Sequence, residues 1–166
     1  MEANLGIPES AEPISQEVQD QIVEPFIEAV RAALSEMAGT EVMVQSVYRS
    51  RRHSRLGDIE VAIDLASSEP RVLVLSFLHK TAANLAGQML PENAAELDEN
   101  LIRDCMGEIA NVVAGQAKSL LAGTPHQFTF SLPRVLASSE DLHQGLESLV
   151  VAFQCDQGAF ALRLIQ

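Results

Sequence analysis

The chain is 166 residues long, enough for one domain with a sizeable core and short for two. Hydrophobic residues make up 47% of it and charged residues 20%, which describes a globular chain and excludes a disordered one. The formal net charge of -12 and the pI near 4.6 exclude a general nucleic-acid binder, because a polyanion needs a basic surface.

Residues 1–14, with Pro8 and Pro13 among small and acidic residues, read as a flexible lead-in, and residues 15–166 as a single domain. The polar, acidic start is no secretory signal, and no window reaches the roughly 20 apolar residues of a membrane span, so a cytoplasmic location is expected. A helix follows Ser15, its N-cap. Val18, Ile22, Phe26, Ile27, Val30, Ala33 and Leu34 recur at helical spacing as far as Gly39. Pro25 inside it predicts a kink, or a late start near Glu24.

Three strand patterns come next. EVMVQSVYR turns Val42, Val44 and Val47 inward, and DIEVAIDLA puts Ile59, Val61, Ile63 and Leu65 on one face. RVLVLSF is dense enough to be buried on both faces. The one basic stretch, Arg49 to Arg55, joins the first two strands. It reads either as a solvated hairpin tip or as a docking patch for an acidic partner.

A second helix is predicted from about Lys80 to Leu90, where Pro91 stops it. A third and most apolar helix runs from Leu97 to Leu121, ended by Gly123 and Pro125. QFTFSLPRVL, ESLVVAFQC and AFALRLI close the chain as strands, the last two as a hairpin around Asp156-Gln157-Gly158. The order α-βββ-αα-βββ predicts an α+β fold, a mainly antiparallel six-stranded sheet with two to three helices on one face. Cys105 and Cys155 read as reduced thiols in or near the core. His53, His79, His126 and His143 have no paired spacing, so no metal site is expected.

The third helix contains an oddity. In DCMGEIANVVAG, residues 104–115, Gly107, Glu108, Asn111 and Gly115 interrupt an apolar run, although glycine in a helix interior costs about 1 kcal/mol relative to alanine. At about 100° per residue, Ile102, Cys105, Ile109, Val112, Val113, Ala117 and Leu120 fan over a wide apolar face. Asp104, Glu108, Asn111, Gly115 and Lys118 collect into a narrow stripe opposite, with Gly107 at its edge. Glu108 and Asn111, three apart, can reach the same point in space. The glycines leave room there for another backbone or a bulky group. An ordinary solvated face would carry similar residues, and Glu-x-x-Asn also arises by chance, so helical geometry alone leaves both readings open.

The segments IVEPFIEAVRAALSEMAGTEV (22–42), RVLVLSF with its following helix (71–90), ELDENLIRDCMGEIANVVAGQAKSLL (96–121), SLPRVL (131–136) and VVAFQCDQGAFALRL (150–164) together resemble the CheC/CheX/FliY chemotaxis phosphatases, CheX most closely. Asp104, Glu108, Asn111 and Pro133 match the pattern of an acidic residue or Ser, then Glu-x-x-Asn, then a Pro a little over twenty residues on. The first helix has no second Glu-x-x-Asn, as in CheX-like members. The resemblance implies a phosphatase acting on the phosphoaspartate of a CheY-like receiver domain, with Asn111 orienting the attacking water and Glu108 anchoring the complex through the receiver's lysine. Asp104, Gly107, Gly115 and Lys118 would line the docking face. Mg²⁺ is expected on the receiver and no cofactor on this chain, and a homodimer is implied. The alternative is a non-catalytic interaction or dimerisation module of the same fold in a two-component pathway.

Overall fold

A computed structural model describes residues 11–51, 55–137 and 147–166, apart from the side chains of 93–95. Helix α1 (Gln16–Val18) opens where the Ser15 hydroxyl accepts the Val18 N–H at 3.3 Å, and it passes through a π-helical turn, Gln19–Val23, into α2 (Glu24–Ala38). The wide turn explains how Pro25 fits. A proline ring strikes the carbonyl four residues back in a regular helix, and widening the turn just before it lets the chain continue unbroken. Gly39, left-handed at φ 59°, ends α2 as the sequence predicts. Its N–H and that of Thr40 close back onto Ser35 and Leu34 at 3.1 and 3.3 Å.

Strands β1 (Met43–Ser50), β2 (Ile59–Ala66), β3 (Arg71–Phe77), β4 (Thr129–Phe130), β5 (Arg134–Val135), β6 (Ser148–Cys155) and β7 (Gly158–Ile165) form one antiparallel sheet in the order β1-β6-β7-β3-β2-β4, with β5 also on β2. Between β3 and β4 come α3 (His79–Met89), a 3₁₀ segment (Pro91–Glu96) and α4 (Glu99–Leu121). The α+β order predicted from the sequence is the observed one. The predicted strand QFTFSLPRVL is split into β4 and β5. Between the pairs Leu65↔Phe130 and Ala62↔Arg134, the edge strand has three residues against two in β2, so one is extra. Pro133 lies in that interruption, because it has no N–H for the ladder.

The hairpin-tip reading of residues 49–55 does not hold. β1 and β2 lie at opposite sides of the sheet, with β6, β7 and β3 between them, so the chain crosses over rather than turning back. Arg49 and Arg51 each pair with Glu147 at 3.6 Å, and Arg55 donates to the carbonyls of Gly57, Asp58 and Ala137. The described arginines of this stretch are therefore occupied within the chain, and Arg52 and His53 lie outside the described residues. Residues 1–10 of the lead-in lie outside them as well. Its end is attached: Glu12 bridges Arg49 through two backbone hydrogen bonds of 2.9 and 2.8 Å, and Ile14 packs against the core.

Helices α2, α3 and α4 cover one face of the sheet over Ile59, Val61, Ile63, Leu65, Leu73, Leu75 and Phe77, all buried. A bulge between Val44 and Ser46 brings Val44 and Val47 to this same face, although they are three residues apart. Much of the opposite face is buried as well. It holds a smaller cluster of Ala62, Val74, Leu136 and Ile165. It also holds an ion pair between Glu60 and Arg163, 2.8 Å apart and both 2% exposed. The same Glu60 oxygen accepts from the Ser76 hydroxyl.

Candidate functional site

Helix α4 starts at Glu99, two residues later than the apolar pattern suggests. The reason is the Asp98 carboxylate, which accepts the Leu101 N–H at 2.8 Å and caps the helix. The buried side is formed by Ile102, Cys105, Met106, Ile109, Ala110, Val113, Ala114, Ala117 and Leu121. Leu120, expected on that side, is 51% exposed, because in the last turn only Leu121 is covered.

The polar stripe is open. Asp104 and Glu108 are exposed and Asn111 is half-buried at the margin of the core-facing side. Among the described residues, none of the three side chains has a hydrogen-bond or ion-pair partner. Among the described residues, no element covers the Asp104 and Glu108 side chains. Around Gly107 a Cβ would meet nothing within 4 Å, so its surroundings are free space.

The other end of the stripe is furnished by the chain itself. A Cβ on Gly115 would lie 4.0 Å from the Phe130 ring, and the Lys118 ammonium sits 5.9 Å from the centre of the same ring. The bulky group beside Gly115 is thus Phe130 of β4. The alternating phenylalanines Phe128 and Phe130 were the signal in the sequence, but the pairing of Phe130 with Leu65 of β2 is what brings it to α4. Pro133 is half-buried on the edge next to it. Among the described residues, no three His, Cys, Asp or Glu side chains come together in a way that could hold a metal ion.

Cys105 is buried on the core-facing side of α4, near Asp104 and Glu108. Burial raises its pKa, and the nearby charges of Asp104 and Glu108 raise it further. Burial also raises that of Cys155, against the lowering effect of backbone hydrogen bonds at Gln157 and Gly158. Both thiols should therefore react with iodoacetamide far more slowly in the native protein than in denaturant at the same pH. Because the folded values are raised, the stability these thiols contribute is complete below roughly pH 8.5 and is lost as pH rises through them. Alkaline denaturation midpoints of Cys105→Ser and Cys155→Ser variants would check the sign.

The profile of the family described as Chemotaxis phosphatase CheX matches residues 59–154, more than half of the chain. The chain belongs to the CheX family. The match spans Asp104, Glu108, Asn111 and Pro133. Among solved structures the chain is similar to CheX from Desulfovibrio desulfuricans at 21% identity, over 87% of this chain and 99% of that one, with a TM-score of 0.74. It is similar to CheX from Vibrio vulnificus at 24% identity, over 86% and 97%, with a TM-score of 0.72. A third likeness is to the CheX–CheY–BeF₃–Mg²⁺ complex of Borrelia burgdorferi, at 19% identity over 86% and 96%, with a TM-score of 0.69. At these identities the likeness is one of fold. Comparison with curated proteins returned no match. Among the described residues, no helix is long and apolar enough to cross a membrane.

Proposed function

We propose that this CheX-family chain hydrolyses the phosphoaspartate of a CheY-like receiver domain. The observation that carries the reading is the uncovered stripe on α4, where Glu108 and Asn111 have no partner among the described residues. The Borrelia burgdorferi CheX solved with CheY, BeF₃ and Mg²⁺ supports the choice of partner. In the reaction, water attacks phosphorus in line, the bond to the aspartate oxygen breaks, and phosphate and a free carboxylate result. Little covalent work is left for protein groups in phosphoryl transfer, so holding the water is most of what this chain can supply.

An amide suits that task. Asn111 can accept a hydrogen bond from the water and donate another, and it is neutral, so an anionic phosphoryl group does not repel it. Glu108, one turn away and exposed, is suited to pair with a lysine of the receiver. Asp104 and Gly107 extend the same open surface, Gly115 and Lys118 with Phe130 close its far end, and Mg²⁺ would belong to the receiver. A homodimer accompanies this reading, and sedimentation velocity measures it.

The test is turnover. Receivers of the source genome, phosphorylated with acetyl phosphate, should lose phosphate faster with this protein present. Glu108→Ala should raise KM about tenfold through the lost charge pair while largely sparing kcat. No acceleration with any receiver would overturn the assignment.

A further inference from the structure

Among the described residues, the most exposed large apolar side chain is Leu132, at 85%. A single exposed leucine is ordinary on a protein surface. Leu132 is distinguished by how it is held. It is the middle residue of Ser131–Pro133, the three that bulge from the edge opposite two residues of β2. Asp64 of β2 ties this bulge down on both sides. Its carbonyl accepts the Ser131 N–H at 3.1 Å, its N–H donates to the Ser131 hydroxyl at 3.0 Å, and its carboxylate pairs with Arg134 at 3.1 Å. A bulge re-aims a side chain, and one pinned at both ends loses little freedom when that side chain docks.

The position of Leu132 along α4 follows from the packing. Lys118 and Ala122 line a cleft with Ala66, Ser67 and Ser68, so the C-terminal end of α4 lies at the Ala66 end of β2. Gly115 lies beside Phe130, and the helix also approaches β5. The four steps from Phe130 to Arg134 face only the three from Leu65 to Ala62, about 10 Å, so Leu132 lies about 5 Å on from Phe130. That is the rise of about three helical residues, which leads from Gly115 back to Val112, in the same turn as Asn111. Leu132 therefore stands out from the sheet edge level with the turn that carries Asn111.

We infer that Leu132 is an apolar anchor for the receiver on which Asn111 acts, seated in an apolar hollow beside the receiver's phosphorylated aspartate. This rests on the proposed function and adds a determinant of partner choice. A receiver with a charged side chain in that hollow would be disfavoured, since docking would desolvate the charge against Leu132.

The experiment compares wild type, Leu132→Ala, Leu132→Asp and Asn111→Ala on one acetyl-phosphate-labelled receiver. Loss of a fully buried leucine side chain should raise KM about tenfold for Leu132→Ala. Leu132→Asp should raise it further, with kcat at saturating receiver retained and the melting temperature unchanged. If wild type is active, Asn111→Ala is not, and both Leu132 variants keep the wild-type KM, the anchor is overturned while the phosphatase reading stands. If the Leu132 variants change the sedimentation coefficient and leave KM alone, the residue contacts a second copy and the anchor is likewise overturned. If wild type accelerates no receiver, the functional reading falls and takes the anchor with it.

Discussion

Asn111→Ala is expected to lower kcat for receiver dephosphorylation by about 100-fold or more, the scale seen when one pre-placed polar group is removed from a transition state. The magnitude follows from the location of Asn111. Its side chain lies half-buried at the edge of the core-facing side of α4, with Val113 and Ala114 buried behind it, so its backbone is rigidly held while its amide remains unpartnered. KM should change little, because Glu108 and the rest of the stripe remain. Asn111→Asp separates positioning from polarity. It keeps the length and an acceptor but adds a negative charge facing the phosphoryl group, so it should fail as badly as alanine near neutral pH. A single-turnover assay at saturating protein reads the chemical step directly, and an unchanged rate in Asn111→Ala would remove the proposed role.

The second large effect concerns stability. Glu60 and Arg163 are 2.8 Å apart and 2% exposed. Glu60 also accepts from the Ser76 hydroxyl and the Leu56 N–H, and it lies 3.8 Å from Arg55. Removing one member of a buried pair strands the other charge, at a cost of about 3–5 kcal/mol. Glu60→Ala and Arg163→Ala should each lower Tm by roughly 6–20 °C for a domain of this size. The double replacement Glu60→Leu with Arg163→Met should recover much of that loss, since an apolar pair of similar volume no longer buries charge. Thermal unfolding of these variants together with the double Glu60→Ala/Arg163→Ala measures the coupling, and additive losses in that double-alanine variant would show that the two residues act separately.

These two sites differ in how far the sequence revealed them. On α4, helical periodicity alone placed Asp104, Glu108 and Asn111 on one stripe, and the structure leaves that stripe open. A helix face is a local property, fixed by about 100° per residue, and so it can be read from a short window. Glu60 and Arg163 could not be found that way. They alternate with Ile59 and Val61, and with Leu162 and Leu164, so their positions resemble the solvent side of a half-buried strand. They are buried because the second face is covered as well, with Leu136 joining Ala62, Val74 and Ile165 there. That coverage involves residues far apart in the chain.

The same division applies to the sheet. The apolar runs of β2, β3, β6 and β7, the Gly39 stop and the β6–β7 turn were each legible, because hydrophobic patterning and turn chemistry act over a few residues. The neighbours of β1 were not. Its alternation marks it as a strand, but pairing with β6, which begins nearly a hundred residues later, is a choice among edges that only the assembled sheet makes. It turned an expected hairpin into a crossover and drew Arg49 and Arg51 to Glu147. The chain alone determined which segments are helix or strand, which faces are apolar, and the polar stripe of α4. The tertiary structure decided which strands meet, that Phe130 closes one end of the stripe, and that the bulge at Leu132 stands level with Asn111. Those relations depend on strand order and register, which are set by packing between distant segments.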